Sequence, residues 1–422
     1  MCIIQNRGNK RDIRKENEMK KNMLAVLLLT TTILLFLNCK NNNPSSIYNP
    51  DVVNGATPII NEVSPTDSAY ASVGQVIITG QNFSAVAAEN LVFFDGARAE
   101  MIAASTTQLT VKPPLIVGDT LKIKVSVRGA QFFSEPFTYR LKPAVLVWGN
   151  LMDNANKGYA IAADLAGNVY VDIEGKIIKK ISPDEKIPYT AQTSHYADVT
   201  FLKANGMKMG PDTTLYAAYG AGRVKKISTI ATDQTEGTFA SFSDVPQDLD
   251  FDAAGNVWAT AGDDVYLIKM DGSSTKIKTF PVPVKTVRVF DGYLYISGKS
   301  DDTGEAKIWR CEILGETLGN EEVVLDIAAT SWLAGITVNA FTFSADGEMY
   351  LGTDAIPDAI FVYDTITENY EPLFPGLIEA NIFALCWDET NSLYAIQQEK
   401  TASNVLKLDM DVKLGAPYYG RK

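Results

Sequence analysis

The chain has few of the residues that build metal-dependent or histidine-based active sites. It contains one histidine, His195, and four cysteines in 422 residues. The chain therefore cannot form a cluster of histidine ligands for a transition metal. No P-loop, Cys-x-x-Cys, EF-hand or Gly-x-Ser-x-Gly pattern occurs after residue 38. We therefore expect no enzymatic activity, no cofactor and no bound metal.

Aspartate-containing turns recur along the chain and have the residue types of calcium ligands. Two of them read Asp164-Leu-Ala-Gly-Asn-Val-Tyr170 and Asp252-Ala-Ala-Gly-Asn-Val-Trp258. Glycine and asparagine adopt the positive φ that a tight hairpin turn requires. We interpret these segments as hairpin turns and not as calcium sites.

The composition is that of an acidic globular protein. Hydrophobic residues make up 46% of the chain, which excludes a disordered protein. Asp and Glu number 50 against 38 Lys and Arg, so the formal net charge is −12. No basic stripe that could follow a phosphate backbone appears, so we expect no nucleic-acid partner.

A short apolar segment near the N-terminus has the anatomy of an export signal. The basic stretch Met19–Met23 precedes the apolar run Leu24–Leu37. This run is shorter than the about 20 residues of a membrane-spanning helix. It ends on Leu37-Asn-Cys39, and an Asn-rich segment follows. The pattern resembles a bacterial lipoprotein signal, which is cleaved before a cysteine that is then acylated.

This resemblance implies three N-terminal features. They are a signal peptide over residues 1–38, a lipid attached to Cys39, and a flexible linker over residues 39–56. It also implies an envelope protein of a Gram-negative bacterium, anchored to the outer membrane. The sequence leaves open whether the protein faces the cell surface or the periplasm.

Residues 57–142 have the rhythm of a small β-sandwich. Six short apolar or alternating runs are separated by Gly, Pro, Asn and Asp. Gly74 and Gly80 flank an alternating strand, and Phe83 is predicted to enter the core. The block resembles the IPT/TIG immunoglobulin-like family, which implies a sandwich that acts as a spacer. The six predicted strand regions are Pro58–Pro65, Gly74–Phe83, Asn90–Gly96, Leu109–Pro114, Leu121–Gly129 and Phe137–Tyr139.

Residues 143–422 contain a repeat. An apolar strand, a Gly/Asn/Asp turn, a strand with an aromatic anchor and a third strand recur six times, and the anchors are 46, 42, 37, 55 and 44 residues apart. This period predicts a six-bladed β-propeller, closed by pairing the Val145–Trp148 segment with the last blade. The repeat resembles NHL-type propellers. The anchors are Tyr170, Tyr216, Trp258, Tyr295, Tyr350 and Tyr394.

Corresponding positions at the start of the inner strands are predicted to surround one mouth of the central channel. These residues are neutral and polar or aromatic, a combination that suits a polyhydroxylated ligand. Trp332 and Tyr196 are further exposed-aromatic candidates, with packing between blades as the alternative. We place His195 in a loop, and Cys311 and Cys386 as buried thiols. The channel-mouth residues are Tyr159, Asn205, Gln247, Thr286 and Asn339, and Phe383 is their counterpart in the last blade.

The predicted fold is all-β, with an immunoglobulin-like sandwich followed by a propeller. This order of domains behind a lipid anchor resembles that of surface glycan-binding lipoproteins. The resemblance implies a non-enzymatic protein that binds a polysaccharide or oligosaccharide and works with outer-membrane uptake components. One alternative is a scaffold for protein–protein interaction. A second is a calcium-dependent propeller hydrolase or lyase, which needs Glu, Asn and Asp around the channel.

Overall fold

The computed structural model describes residues 18–23, 54–151, 157–187, 189–398 and 403–421. The proposed lipid site Cys39 and most of the predicted signal peptide and linker lie outside the described residues. Residues 18–23 are helical. The chain divides into two units, Met1–Ala56 and Thr57–Lys422. Among the described residues, no helix has the length and apolar character needed to cross a membrane.

The first part of the larger unit consists of two facing sheets. Their strand orders are β1-β3-β7-β6 and β2-β9-β8-β4-β5. A short 3-10 helix, Ala87–Glu89, precedes β4. The strands are β1 (Ile59–Ser64), β2 (Ala69–Tyr70), β3 (Val76–Gln81), β4 (Asn90–Phe94), β5 (Ala97–Arg98), β6 (Glu100–Ala104), β7 (Gln108–Lys112), β8 (Gly118–Val127) and β9 (Phe137–Lys142).

The sequence predicted six of these nine strands. The missed strands β2 and β5 have two residues each, and β6 has no alternation of buried and exposed residues. Alternation does identify β3, in which Val76 and Ile78 are fully buried. The predicted core position of Phe83 is confirmed, since 5% of this residue is exposed. Gly80 must be glycine, because a Cβ atom there would lie 1.9 Å from the backbone oxygen of Ile59.

The remainder of the unit is a six-bladed β-propeller with four strands in each blade. The 3-10 helices Pro211–Thr213 and Ser331–Leu333 lie in loops. Blades 1 to 3 consist of β11 (Gly158–Ala163), β12 (Val169–Ile173), β13 (Ile177–Pro183) and β14 (Ala191–Asp198); β15 (Gly206–Met209), β16 (Leu215–Ala221), β17 (Val224–Ile230) and β18 (Glu236–Ser241); and β19 (Pro246–Phe251), β20 (Val257–Ala261), β21 (Asp264–Ile268) and β22 (Ser274–Thr279). Blades 4 and 5 consist of β23 (Val284–Phe290), β24 (Tyr293–Lys299), β25 (Ala306–Leu314) and β26 (Thr317–Asp326); and β27 (Val338–Phe343), β28 (Met349–Thr353), β29 (Ile360–Tyr363) and β30 (Tyr370–Pro372). Blade 6 combines β10 (Val145–Val147), from the start of the propeller, with β31 (Ile382–Trp387), β32 (Ser392–Gln398) and β33 (Ser403–Asp409).

The ring of blades is closed by strands from both ends of the propeller. Strand β10 pairs antiparallel with β33, with Val145 opposite Leu408 and Val147 opposite Leu406. This confirms the predicted closure. Each inner strand contacts the inner strand of the next blade, and β31 contacts β11. The six inner strands therefore surround a central channel.

The fourth strand of blades 1 to 5 was not predicted from the sequence. These strands lie at the outer edge, where one or both faces contact water, so they lack an apolar pattern. Strand β22 reads Ser-Thr-Lys-Ile-Lys-Thr and has no fully buried residue. His195 lies in such a strand, β14, and the prediction of a loop there is wrong.

The aspartate turns hold the first two strands of a blade together. In blade 3, Asp252 accepts hydrogen bonds from the Asn256 backbone (2.8 Å), the Asn256 amide (3.0 Å) and the Trp258 indole nitrogen (3.0 Å). In blade 1, Asp164 accepts from the Asn168 amide and the Tyr170 hydroxyl. These carboxylates are thus engaged in the hairpin and bind the buried aromatic anchor of the next strand.

Candidate ligand-binding channel

The sequence-predicted ring residues meet at one mouth of the channel. All six line the same cavity, which we call the upper mouth. They come from the start of each inner strand or the residue just before it, because the six blades repeat the same approach to the axis. The residues are Tyr159, Asn205, Gln247, Thr286, Asn339 and Phe383.

One wall of the upper mouth is aromatic. The rings of Tyr159 and Phe383 have their centroids 5.9 Å apart at an interplanar angle of 80°. The ammonium group of Lys203 lies 5.4 Å from the Tyr159 ring centroid. Burial, followed by the charges of Glu174 and Asp172, raises the pKa of the Tyr159 hydroxyl. The phenol therefore stays neutral and offers both a ring face and a hydroxyl group.

The amide side chains of the mouth are held in fixed orientations. Asn205 donates to the backbone oxygen of Pro246 (2.9 Å), and Gln247 donates to that of Val245 (3.2 Å). Asn339 donates to the Asn381 side-chain oxygen (2.6 Å) and to the Ile382 backbone (3.1 Å). Within the part of the chain that the structure describes, the three side-chain oxygens accept no hydrogen bond. They form a set of acceptors for ligand donors.

The six mouth residues are neutral, as the sequence predicted, but charged side chains that the sequence analysis did not include lie below them in the channel. Arg288 forms an ion pair with Asp248, and both side chains are about nine-tenths buried, at 10% and 9% exposure. The Lys208 ammonium lies 3.6 Å from Asp250, with these side chains 13% and 5% exposed. We call Lys208, Asp248, Asp250 and Arg288 the charged floor.

The sequence carries a signal for the charged floor that the repeat alignment passed over. Each residue of the charged floor is a charged residue in an otherwise mostly apolar inner strand. Examples are Met207-Lys208-Met209, Leu249-Asp250-Phe251 and Val287-Arg288-Val289. Alternation places one set of side chains between blades and the other toward the channel. A charge in such a strand therefore indicates a channel-facing side chain.

The two carboxylates of the charged floor are already engaged. Asp250 accepts hydrogen bonds from the backbones of Val289 (2.9 Å) and Phe251 (3.1 Å). Asp248 accepts from the backbones of Leu249 (2.9 Å) and Val287 (3.3 Å) in addition to its ion pair. Burial, and next the nearby Arg288, lowers the pKa of Lys208.

The C-terminal tail, residues 412–421, covers the other mouth of the channel. Gly415 bridges to Ser344, and the Ala416 backbone donates to Phe343 (3.0 Å). The Tyr418 hydroxyl donates to the backbone oxygen of Met209. Arg421 donates to the Ala163 backbone (2.6 Å) and pairs with Glu389 at 2.8 Å. The tail and the charged floor thus line a second cavity in the channel, at the mouth opposite the upper mouth.

A groove adjoins the upper mouth over blades 3 to 5. Its volume is about 570 Å³, against about 80 Å³ for the upper mouth, and the two cavities share Gln247 and Lys285. Pockets for small molecules have volumes of about 300–1,000 Å³. The upper mouth therefore has room for only part of a ligand, and the groove has room for the rest.

Other sequence candidates lie away from this site. Trp332 is in the turn Ser331–Leu333, where its ring stacks on Tyr370 at 4.0 Å, so it does not join the mouth. Tyr196 packs on Tyr170 with centroids 4.8 Å apart. Trp332 and Tyr196 therefore pack on other aromatic side chains of the blades and do not face the channel. The nearest acid to His195 Nε2 is Asp198, at 3.1 Å. Cys311 and Cys386 are free and buried.

No grouping of three or more His, Cys, Asp or Glu side chains suited to a metal occurs among the described residues.

Residues 58–140 match the IPT/TIG domain family. No curated protein matches the sequence. The fold is similar to that of an auxiliary nutrient binding protein from Bacteroides thetaiotaomicron, with a TM-score of 0.54 and 13% identity over 86% of this chain and 98% of that one. It is similar to a structural genomics protein of unknown function from the same organism, with a TM-score of 0.50 and 14% identity over 86% and 99%. A gluconolactonase from Xanthomonas campestris has a TM-score of 0.47 and 13% identity over 69% and 90%. At these identities the likeness concerns the fold alone.

Proposed function

We propose that this protein is a non-enzymatic binding protein of the cell envelope, and that it binds a saccharide at the upper mouth. The observation that carries the proposal is the pairing of the Tyr159–Phe383 wall with three anchored amides in one cavity. The apolar face of a sugar ring packs on an aromatic ring, while its hydroxyl groups donate to oxygen acceptors. The fixed amides carry a low entropic cost of ordering on binding.

The state of the channel carboxylates favours binding over catalysis. A hydrolase or lyase needs a group that can accept or deliver a proton at the substrate. Asp248 is paired with Arg288, and Asp250 is held by Lys208 and two backbone amides. A carboxylate with an ion-pair partner and two backbone hydrogen bonds has few lone pairs left for a substrate proton or a calcium ion. The calcium-dependent alternative is therefore disfavoured.

The proposed envelope setting rests on the sequence. The Leu37-Asn-Cys39 pattern resembles a lipoprotein signal, and we propose acylation of Cys39 and anchoring to the outer membrane. A protein of similar fold is described as an auxiliary nutrient binding protein, which fits a role beside uptake components. The IPT/TIG domain would hold the propeller away from the membrane as a spacer.

Binding of the purified chain, without its signal peptide, to an array of neutral and acidic glycans tests the proposal. We expect saturable binding that Tyr159→Ala and Asn339→Ala abolish. Tyr370→Ala is the matched control, because this residue is 46% exposed and lies on the outer strand β30. Binding that survives both mouth variants contradicts the proposed site, and no binding to any glycan contradicts the saccharide function.

A role in protein contact is favoured by a second surface. A groove of about 620 Å³ on the IPT/TIG domain is lined by Phe93, Phe133 and Pro136, with Lys122 and Lys124 beside them. Phe132 and Phe133 are 62% and 52% exposed. Exposed aromatic clusters of this kind are typical of protein-binding surfaces. If the scaffold alternative holds, Phe133→Ser will reduce copurification with envelope partners and leave glycan binding unchanged.

A further inference from the structure

The upper mouth is cationic although the chain as a whole is acidic. Its lining includes three cations, Lys208, Lys285 and Arg288, and one carboxylate, Asp248, while Asp250 pairs with Lys208 in the charged floor, which leaves a local formal charge of +1. The formal net charge of the protein is −12. A local excess of positive charge in a partly closed cavity attracts an anion, because low-dielectric walls focus the field.

Two of these cations have hydrogen-bonding capacity that the protein does not use. Arg288 donates through Nη1 to Asp248 and to the Val287 backbone oxygen. Its buried Nε has no hydrogen-bond partner in the described structure. The Lys208 ammonium lies 3.6 Å from Asp250, which is an ion-pair distance beyond hydrogen-bond range. A buried donor without a partner is unfavourable, and an acceptor on a ligand would satisfy it.

The unused donors match the geometry of one anionic group. Because Asp248 is bound through Nη1, the edge of the Arg288 guanidinium that carries Nε and Nη2 donates no hydrogen bond within the described part of the chain, and Nε is buried. Such an edge binds a planar carboxylate through two parallel hydrogen bonds. The mouth volume of about 80 Å³ suits a group of this size but not a whole ligand.

We propose that the ligand is an acidic saccharide whose carboxylate enters the upper mouth toward Arg288 and Lys208, while the rest of the saccharide lies in the adjoining groove. This inference rests on the proposed saccharide function and names its ligand class. Lys285 lines both cavities, so it stands between the carboxylate and the sugar units that follow.

The test compares acidic ligands with their uncharged methyl esters. Calorimetry on the purified chain measures the dissociation constants of galacturonate, glucuronate and mannuronate trisaccharides and of their methyl esters. A methyl ester keeps the sugar and removes the anion. We expect at least one acid to bind about tenfold or more tightly than its ester, since hydrogen bonds to a charged carboxylate are stronger than those to a neutral ester. Added salt should weaken the binding of the acid and leave that of the ester unchanged.

Variants locate the effect. Lys208→Met and Lys285→Gln should reduce the ratio of acid to ester affinity toward one. Lys285 is exposed, so its replacement remains informative if Lys208→Met fails to fold. Lys276→Gln, an exposed lysine of strand β22 outside both cavities, is the control and should leave the ratio unchanged.

The outcomes separate the two proposals. Equal affinity for acid and ester, or binding of neutral glycans alone, overturns the acidic ligand and leaves the saccharide function standing. A sulfated trisaccharide that binds when no uronate does overturns the assignment of a carboxylate. Failure of every saccharide, acidic and neutral, overturns the saccharide function itself.

Discussion

Asp248 on the inner strand of blade 3 and Arg288 on the inner strand of blade 4 form an ion pair inside the propeller channel. The Val287 backbone adds a hydrogen bond to the same carboxylate. The pair thus joins neighbouring blades at the axis, where apolar packing between the sheets ends. It also leaves the buried Nε of Arg288 without a hydrogen-bond partner among the described residues.

Replacing Asp248 by Asn should destabilise the propeller strongly. The variant leaves the buried Arg288 charge without its counter-ion, and breaking a buried ion pair in this way costs about 3–5 kcal/mol. Urea unfolding measures the loss in the free energy of unfolding. The exposed pair Arg310–Glu322 is the control, and Arg310→Gln should cost about 0–1 kcal/mol. Equal losses for the two variants would contradict the structural role of the channel pair.

Replacing Asp252 by Ala should destabilise blade 3 through the aromatic anchor. Trp258 is completely buried, and its indole nitrogen donates to Asp252. Without the carboxylate this donor is unsatisfied, at a cost of about 1–3 kcal/mol. The transition in tryptophan fluorescence during urea unfolding reports the change. Asp233→Ala, in an exposed turn with a hydrogen bond from the Thr235 backbone, should cost less. If the two turns are equally sensitive, the indole contact is unimportant.

Asp172 should make the protein less stable as the pH rises. Burial raises the pKa of this carboxyl from its ordinary value to about 7, and its Oδ2 accepts a hydrogen bond from the Ala204 backbone. Because the folded pKa exceeds the unfolded one, the folded state binds the proton more tightly. The stability contributed by protonation is complete below about pH 4 and is lost as the pH approaches 7.

The variant Asp172→Asn isolates this effect, since an amide cannot ionise. Its free energy of unfolding relative to the parent should increase by about 1.4 kcal/mol per pH unit between about pH 4 and pH 7. Urea unfolding at several pH values measures the difference. Asp184→Asn is the control, because a backbone hydrogen bond lowers the pKa of Asp184. A difference that stays constant with pH for Asp172→Asn would mean that the residue is ionised throughout.

Tyr418 in the C-terminal tail should stabilise the lower half of the propeller. Tyr418→Phe removes the hydrogen bond to the Met209 backbone and should cost about 0.5–1.5 kcal/mol. Tyr418→Ala also removes the ring, which packs on Phe251 at 6.3 Å, and should cost about 3–5 kcal/mol. Thermal unfolding compares both with Val412→Ala, where 84% of the residue is exposed. A tail that tolerates Tyr418→Ala as well as it tolerates Val412→Ala would contribute nothing to stability.

The sequence was sufficient to predict the propeller because the blade hairpin is a local structure. Asp252 and Trp258 are six residues apart, and the contact between them recurs for Asp164 and Tyr170. The period of the anchors then gives the number of blades. Outer strands such as β22 have no comparable pattern, because water and not a neighbouring blade covers their side chains.

The candidate site was predicted in part for the same reason. Equivalent positions in a repeat approach the axis together, so aligning the inner strands brought Tyr159 and Asn339 to one mouth. That alignment identified only the residues at the mouth of the channel and none of those deeper inside it. Arg288 and Lys208 lie deeper, and a bulge between Val284 and Val287 shifts the register of β23. The tail that covers the lower mouth comes from outside the repeat, and nothing in its ten residues indicates where it folds back.

The closure of the ring by β10 and β33, together with the tail beneath the channel, imposes an order on biogenesis. Val145 can pair with Leu408 only after residues 403–421 have left the ribosome. Until then the first blade has an uncovered side, and the C-terminal tail does not yet cover the channel mouth opposite the upper mouth. The ring of blades therefore closes only after the last blade has been synthesised, so the earlier blades must remain without this closing contact until then.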